Sequence, residues 1–506
     1  MIEHDRIFIG GEWRRPSTGD TLEVVSPSSE EVVGRVPLSG PADIAAAVAA
    51  ARRAFDEGPW PRLDVEERRA VLKRAGALLE AQADQLDALV TSENGTLLRN
   101  HPGHTERAFR YLAEVDVPAP EDRRAVSGAR AQIVHEPAGV VAAIVPWNGP
   151  LWLAALKVIP ALLAGCTVVL KPAPETPLDS YPLAQAFADA GLPPGALNVV
   201  TAHREVAQEL VASRDVDVVS FTGSTAAGRR IGAICGEQIK RVFLELGGKS
   251  AAIILDDAEV ETTVPAVLAG GMLMHNGQSC VAWSRVLVPA SRHDEVVDAI
   301  RDHLRSVRIG DPSDATTDLG PLVSSRQRGR VEGYIAVAQQ EGAKVACGGN
   351  RPKGLDRGWY VEPTLLIDAT NSMRSSREEI FGPVASVIPY HDVDDAVRIA
   401  NDSDYGLSGA VFTADVTRGL QVADRIRTGS ISVNQAGSDL AFPFGGYKAS
   451  GLGRQNGPEG IFEYLEIKTI GLPAADVGVQ RTGQYGSGHA TSDLPGQGGA
   501  QAHGEC

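Results

Sequence analysis

The chain has 506 residues, 43% of them hydrophobic and 22% charged, which is typical of a globular protein of roughly two to four domains. The formal net charge is −16 and no long Lys/Arg run interrupts it, so nucleic acid and anionic membranes are excluded as expected partners. The N-terminus is polar, without a signal-peptide core, and no apolar stretch is long enough to span a bilayer. A cytoplasmic protein is expected.

The first part of the chain predicts two long helices, over residues 42–55 and 64–92, with apolar residues at three- and four-residue spacing. From residue 139 short apolar strands alternate with helices of about a dozen residues. The predicted strands are 139–145, 167–170, 197–200, 216–221 and 241–244, and the helices are 151–164, 178–190, 204–213 and 225–236. Such alternation is typical of parallel βαβ units in an open sheet with helices on both faces.

A second series follows, with strands 251–255, 285–288, 363–367 and 384–390 and helices 259–274, 293–306 and 325–342. It predicts a second α/β unit. Residues 473–506 are rich in Gly, Gln, Ser, Ala and His and have few apolar residues. They predict a disordered tail, because burial cannot offset the entropy lost on ordering; the alternative is docking on a neighbouring subunit.

The five cysteines are scattered and odd in number, and none forms a C-x-x-C pair: Cys166, Cys235, Cys280, Cys347 and Cys506. Neither a disulfide framework nor a zinc site is expected, and no metal is predicted. Of the five, Cys280 differs in its surroundings, since it ends the turn Asn276-Gly277-Gln278-Ser279-Cys280 rather than an apolar stripe. A single cysteine is usually a small buried hydrophobe, but a reactive thiolate needs this kind of exposure.

Three other segments could carry chemistry because each follows a predicted strand, where open α/β sheets bind their ligands. Glu245 ends the strand Phe243-Leu244-Glu245 before Gly247-Gly248. Phe221-Thr-Gly-Ser224…Gly228 opens a helix, and its free N–H groups suit a pyrophosphate. Asn148, after Pro146-Trp147, is either a turn residue or an amide donor for an oxyanion. Gly451-Leu-Gly453 follows no strand and is interpreted as a loop.

Together these segments closely resemble the aldehyde dehydrogenase superfamily from about residue 7 to about residue 470. The motifs that carry the resemblance are Val145-Pro-Trp-Asn148, Lys171-Pro172, Phe221-Thr-Gly-Ser224, Leu244-Glu-Leu-Gly-Gly-Lys249, Gly277-Gln-Ser-Cys280, Glu378-Glu-Ile-Phe-Gly-Pro-Val384 and Pro443-Phe-Gly-Gly-Tyr-Lys448. All of them occur in the family's order.

The resemblance implies an enzyme that oxidises a small-molecule aldehyde to the acid. Cys280 would attack the carbonyl, Asn148 would stabilise the oxyanion, and Glu245 would activate the water that hydrolyses the thioester. Other residues would hold the dinucleotide: Trp147 on the adenosine side, Lys171, Gly223, Ser224, Gly228, Glu379, and Phe381 beside the nicotinamide.

Cofactor and substrate choice are less determined. NAD is favoured, but Pro174 stands where many NAD-preferring members have an acidic residue, and Glu175 comes one position later, so NADP stays open. Trp152, Trp283 and Phe442, the last in loop 435–442, would line the substrate tunnel and indicate an apolar or aromatic aldehyde. The alternative is that these aromatic residues pack the core.

The fold class that the resemblance implies is α/β. A Rossmann-like cofactor domain (1–118 and 138–247) and a catalytic domain (248–449) would be joined by an oligomerisation element (119–137 and 455–472), in a homodimer or homotetramer. Two other functions stay as alternatives: a CoA-acylating semialdehyde dehydrogenase, against which Glu245 argues, and a non-catalytic homologue of the same fold.

Overall fold

The structure, a computed structural model, describes residues 1–100, 104–435 and 439–473. Its helices are α1 Pro41–Asp56, α2 Val65–Glu80, α3 Ala83–Asn94, α4 His104–Leu112, α5 Pro150–Ala164, α6 Ser180–Asp189, α7 Arg204–Ala212, α8 Thr225–Glu237, α9 Val260–Ala269, α10 His293–Arg305, α11 Ser325–Gln340, α12 Arg374–Arg377, α13 Val393–Asn401 and α14 Val416–Ala423. The predicted tail lies outside the described residues except for Pro473.

The strands before residue 249 are β1 Ile2–Glu3, β2 Ile7–Ile9, β3 Glu12–Arg14, β4 Thr21–Val25, β5 Val32–Pro37, β6 Glu121–Arg124, β7 Arg130–Pro137, β8 Val140–Ile144, β9 Thr167–Lys171, β10 Leu197–Val199, β11 Val218–Thr222 and β12 Arg241–Glu245. Those after it are β13 Ser250–Ile254, β14 Trp283–Pro289, β15 Lys344–Cys347, β16 Thr364–Ile367, β17 Val384–Tyr390, β18 Tyr405–Gly406, β19 Gly409–Phe412, β20 Ser432–Val433, β21 Tyr447–Lys448, β22 Gly451–Leu452 and β23 Leu465–Leu472.

The first large sheet has the order β22-β12-β11-β8-β9-β10-β2-β3, and its strands from β12 to β10 are parallel. Alternate residues of β8 face opposite ways: Val141 and Ala143 join one core cluster, Val140 and Ala142 the other. Both faces are therefore buried under helices, which explains why these strands read as continuous apolar runs.

The chain order reverses within this sheet. From β8 the chain proceeds through β9 to β10 on one side, and then returns to place β11 and β12 on the other side of β8. The carboxyl ends of β8 and β11 therefore lie at a switch point, where open α/β sheets form a ligand crevice.

A second large sheet has the order β15-β16-β17-β14-β13-β19-β20 and is built from residues after 249. A separate three-stranded antiparallel sheet, β23-β7-β6, joins residues 121–137 to 465–472. The predicted limits of the domains stay a prediction. No helix in the described ranges is long and apolar enough to cross a membrane.

Three local predictions were wrong. Residues 64–92 form two helices, because Gln82 leaves helical geometry and its side-chain amide donates to the carbonyl of Leu78 (3.1 Å), closing the end of α2. The predicted helix 259–274 ends at Ala269, where a side chain at Gly270 would clash with the ring of Trp283. Gly451–Leu452 is not a loop but a short strand that pairs with Leu244 and Glu245 of β12.

Candidate active site

A cavity of about 1070 Å³ lies at the switch point, between the two large sheets. Asn148 and Gly223, which follow β8 and β11, and Glu245, which ends β12, lie in its wall. Cys280 and Glu379, from the part of the chain after residue 249, line the same cavity. Residues far apart in sequence thus meet because three neighbouring parallel strands end at one edge.

Cys280 is half-buried at the cavity surface, and the loop that carries it is packed tightly. A Cβ atom at Gly248 would lie 2.2 Å from the carbonyl oxygen of Cys280, so only glycine fits there. Burial, followed by the charges of Glu379 and Glu245, raises the pKa of the Cys280 thiol to about 12. A thiol with so high a pKa is neutral near pH 7, and it needs a base or a nearby cation to become a nucleophile.

We expect alkylation of Cys280 by iodoacetamide to be slow at about pH 7 and to rise roughly tenfold per pH unit towards about pH 11, because the rate follows the thiolate fraction below the raised pKa. Peptide mass spectrometry of the modified cysteine measures this rate. Adding NAD+, whose nicotinamide is cationic, should lower the pKa and accelerate the reaction at neutral pH. A rate that levels off near pH 9 without cofactor would contradict the environment described here.

Glu245 ends β12 with 3% of its surface exposed, and neither carboxyl oxygen has a hydrogen-bond partner among the described residues. Burial raises its pKa well above the ordinary value, while the charges of Lys157 and Arg454 oppose that shift. A carboxyl group with a raised pKa and free oxygens facing a cavity is suited to hold a water molecule and accept its proton.

Asn148 connects the strand edge to the loop of Cys280. Its side-chain Nδ2 donates to the carbonyl oxygen of Gln278 at 3.1 Å, two residues before the cysteine. An amide nitrogen carries two hydrogens, so the second one is free to face the cavity. With the backbone N–H of Cys280, it could form a pair of donors for an oxyanion.

Residues predicted to hold the dinucleotide divide into two groups. Trp147, Gly223, Ser224, Glu379 and Phe381 line the cavity. Ser224 precedes α8 and its hydroxyl accepts from the N–H of Ala227 (3.3 Å), so it caps a 13-residue helix whose N-terminus faces the site. Lys171 and Gly228 are both buried and do not line the cavity; a Cβ at Gly228 would clash with Leu246.

Glu379, Trp147 and Phe381 line one part of the cavity. Oε1 of Glu379 accepts from the N–H of Gly248 at 3.0 Å, and burial raises the pKa of this carboxyl to about 7. Trp147 contacts Phe381 edge to face, with ring centroids 5.2 Å apart. Trp147, predicted on the adenosine side, therefore contacts Phe381, the residue predicted beside the nicotinamide.

The structure brings only part of the predicted substrate pocket together. Trp152 is half-buried and lines the cavity. Trp283 also touches it, but is 4% exposed and packs edge to face on Phe412 at 5.7 Å, so most of its ring belongs to the core. Phe442 is 64% exposed and does not line the cavity, whereas Leu440 does. Residues 436–438 of the predicted loop lie outside the described residues.

One wall was missed by sequence analysis. Helix α4 contributes Arg107, Arg110, Tyr111 and its neighbour Glu114 to the cavity, together with Asp87 of α3. The sequence of α4 mixes charged and aromatic residues and contains no motif, so nothing in it predicts that this helix lines the cavity. In the described ranges, no group of three His, Cys, Asp or Glu side chains suits a metal ion.

Comparison with known proteins gives consistent matches over nearly the whole chain. A sequence model described as the aldehyde dehydrogenase family matches residues 13–470. Geranial dehydrogenase of Castellaniella defragrans is 43% identical, with 93% of this chain and 99% of the relative covered.

Two solved structures extend this likeness to three dimensions. A Mycobacterium tuberculosis aldehyde dehydrogenase with NAD+ is 46% identical, covers 94% of this chain and 99% of its own, and has a TM-score of 0.92. A cysteine-to-alanine mutant of Pseudomonas syringae aldehyde dehydrogenase C, with NAD+ and octanal, is 38% identical, covers 92% and 96%, and has a TM-score of 0.88. The predicted α/β fold is confirmed by this agreement.

Proposed function

The chain belongs to the aldehyde dehydrogenase family, and we propose that it oxidises an aldehyde to the carboxylic acid through a thioester on Cys280, with NAD+ as cofactor. The predicted class, an NAD(P)-dependent aldehyde dehydrogenase, is confirmed by the same matches. The observation that carries the proposed mechanism is the meeting of Cys280, Asn148, Glu245 and Glu379 on the wall of one cavity.

The first half of the reaction needs a nucleophile and donors for an oxyanion. The Cys280 thiolate attacks the aldehyde carbon, and the carbonyl oxygen becomes an oxyanion that accepts hydrogen bonds from Asn148 Nδ2 and from the N–H of Cys280. When bound, NAD+ would accept the hydride that leaves this carbon, and the oxyanion would then collapse to the carbonyl of a thioester on Cys280. The hydrogen bond from Asn148 to Gln278 (3.1 Å) supports this role, because it ties the donor to the nucleophile's own loop.

The second half needs a base. Glu245 accepts a proton from water, and the resulting hydroxide attacks the thioester carbonyl; the Cys280 thiolate leaves, and the acid is released. The unpartnered carboxyl oxygens of Glu245 support this role and argue against transfer of the acyl group to CoA. They also argue against a non-catalytic homologue, since a purely structural carboxyl group is normally hydrogen-bonded when buried.

NAD+ fits the features of the cavity. The N-terminus of α8 at Gly223 and Ser224 offers backbone N–H groups to a pyrophosphate, and Glu379 offers a carboxylate to a ribose. NAD+ is also bound in the two solved relatives described above. The acid next to Pro174 is engaged elsewhere, since Glu175 forms an ion pair with Arg326 at 2.7 Å. The 2′-phosphate of NADP+ would meet no free carboxylate there. We therefore expect measurable turnover with NADP+, although slower than with NAD+.

The substrate is proposed to be an apolar aldehyde, as the sequence indicates. The cavity is bounded by Trp152, Leu153, Leu156, Tyr111 and Leu440, which offer apolar surface to a hydrocarbon chain or ring. Arg107 and Arg110 also line it, and Arg110 forms an exposed ion pair with Glu80 at 2.9 Å, so part of this positive charge is already matched. The geranial and octanal named for two relatives are apolar as well.

An aldehyde panel tests both parts of the proposal. NADH formation with octanal, benzaldehyde and a semialdehyde carrying a carboxylate should give the highest kcat/KM for the two apolar compounds, by about tenfold or more, since burying a charge without a partner is costly. A preference for the charged semialdehyde would contradict the substrate proposal. Turnover of none of the three, with either NAD+ or NADP+, would contradict the enzyme's proposed reaction.

The arm sheet, β23-β7-β6, is proposed to form a homodimer or homotetramer. Its edge strand exposes Ile467 (64%), and the neighbouring Phe462 is 43% exposed. Edge strands with exposed apolar residues are sites for pairing with another chain. Size-exclusion chromatography with light scattering should detect a dimer or tetramer, and a strictly monomeric active species would contradict this assignment.

A further inference from the structure

Three consecutive residues with left-handed backbone geometry precede the loop of Cys280. The φ angles are 47° at His275, 58° at Asn276 and 73° at Gly277. Glycine adopts this geometry freely, and asparagine tolerates it better than most residues, but such a run is rare. Strained backbone persists only where the surrounding structure holds it, and it concentrates at functional sites.

The side chain of Asn276 holds this turn. It is 1% exposed; its Nδ2 donates to the carbonyl oxygens of Gly95 (2.8 Å) and Pro321 (3.0 Å), and its Oδ1 accepts from the N–H of Gly320 (2.8 Å). Gly95 follows the last residue of α3. Gly320 and Pro321 belong to the loop before α11. One amide therefore ties three separate backbone segments together.

The next residues leave the turn no room to shift. A Cβ at Gly277 would lie 2.2 Å from the carbonyl carbon of Gly382, directly after Phe381. The side chain of Gln278 accepts from the N–H of Val323 (3.0 Å), and its backbone carbonyl accepts from Asn148 (3.1 Å). The segment that Asn276 anchors is thus in contact with the proposed oxyanion donor and with the cofactor side of the cavity.

We propose that Asn276 is a positioning residue, whose three hydrogen bonds hold the left-handed turn and thereby aim Cys280 at the aldehyde carbon and at the donors of the oxyanion. This proposal rests on the proposed function of Cys280 as nucleophile. Asn276 itself does not line the cavity. It acts through the three residues between it and Cys280, and its effect is therefore on the rate of attack rather than on cofactor binding.

The Asn276→Gly variant tests this role, because glycine accepts the left-handed geometry while the three hydrogen bonds are lost. A matched control is available in Asn198→Gly. Asn198 is 0% exposed and also makes three hydrogen bonds to backbone, from Nδ2 to Gly195 (2.9 Å) and Val168 (3.3 Å), and to Oδ1 from Gly10 (2.8 Å). It lies on β10, outside the cavity.

Three measurements separate positioning from stability: the rate of the first-turnover NADH burst, the KM for NAD+, and the pH profile of Cys280 alkylation. For Asn276→Gly we expect the burst rate to fall about tenfold or more, with the KM for NAD+ within about twofold. The alkylation profile should shift to lower pH, because a loosened loop exposes the thiol to water. Asn198→Gly should lower Tm by a comparable amount and leave all three measurements unchanged.

Burst rate and alkylation profile equal to those of the unmodified chain would overturn the proposal, as would an equal loss in the folded Asn198→Gly control. If Asn276→Gly does not fold, Asn276→Asp replaces it: this variant keeps the acceptor for Gly320 and loses both donated bonds, and the same outcomes apply. Absence of aldehyde turnover in the unmodified chain would overturn the proposed function alone, since the alkylation profile does not depend on any substrate.

Discussion

Replacing Cys280 with alanine is expected to lower aldehyde oxidation by at least about 10⁴-fold, without preventing folding or cofactor binding. The thiol is the proposed nucleophile, and no other cysteine lines the cavity among the described residues. Losses on the order of 10⁴ to 10⁶ are typical when a nucleophile is removed from a site whose other groups act with it. Steady-state NADH formation measures the loss, and fluorescence titration with NAD+ measures binding.

Cys347→Ala is the matched control, because Cys347 is also half-buried but lies on β15 at the edge of the second sheet, away from the cavity. Its turnover should stay within about twofold of the unmodified chain, as expected for a half-buried residue remote from the site. A normal rate of aldehyde oxidation by the Cys280→Ala variant would contradict the assignment of Cys280 as the nucleophile. A loss of NAD+ binding in the same variant would instead indicate that the substitution disturbs the site as a whole.

Replacing Glu245 with glutamine should leave the rate of the first turnover unchanged and slow all later turnovers. The amide cannot accept a proton from water, so the thioester on Cys280 should accumulate, and steady-state turnover should fall by about 10²–10⁴-fold, the usual contribution of a general base. The expected signature is a burst of NADH of about one per active site, followed by a slow phase. Mass spectrometry should detect the acyl group on the peptide that contains Cys280.

Stability offers an independent check on the same carboxyl group. Because burial raises the pKa of Glu245 above 4.5, the native state binds its proton more tightly than the unfolded chain does. Glu245 therefore destabilises the fold progressively as pH rises above that value, up to its native pKa. Glu245→Gln removes this contribution, so the Tm of the variant should fall less than that of the unmodified chain as pH rises above about 4.5.

Glu93→Gln is the control for removing a buried carboxyl group, since Glu93 is 0% exposed, also has a raised pKa, and accepts from the N–H of Leu178 rather than facing the cavity. Normal steady-state turnover in this variant, together with the stalled second phase in Glu245→Gln, would assign the effect to the base. An unchanged steady state in Glu245→Gln would rule out its role.

Most of the secondary structure could be predicted because local patterns carry it. The parallel strands are buried on both faces and therefore appear as apolar runs, as in β8, β9, β11 and β13, where every residue is buried. Predictions failed where distant contacts decide the outcome. Gly451–Leu452 becomes a strand only because β12 offers an unpaired edge to it, and neither residue favours a strand by itself.

The candidate site divides in the same way. Cys280, Glu245, Asn148 and Glu379 could be named from their motifs, since each motif combines a reactive residue with small residues that bring backbone close to it. The positions of Lys171, Gly228, Trp283 and Phe442 relative to the cavity could not be predicted, because exposure at a wall depends on how whole elements pack. The same holds for α4, which supplies a charged wall that no local pattern indicates.

The sequence by itself therefore determined the α/β class, the family resemblance and the chemical type of the reacting groups, all of which are encoded in short segments. Only the tertiary structure decided their environment. Burial raises the pKa of both the Cys280 thiol and the Glu245 carboxyl, which line one cavity whose wall is built from both parts of the chain. Desolvation depends on the atoms around a group, and those atoms come from segments that no sequence window contains together.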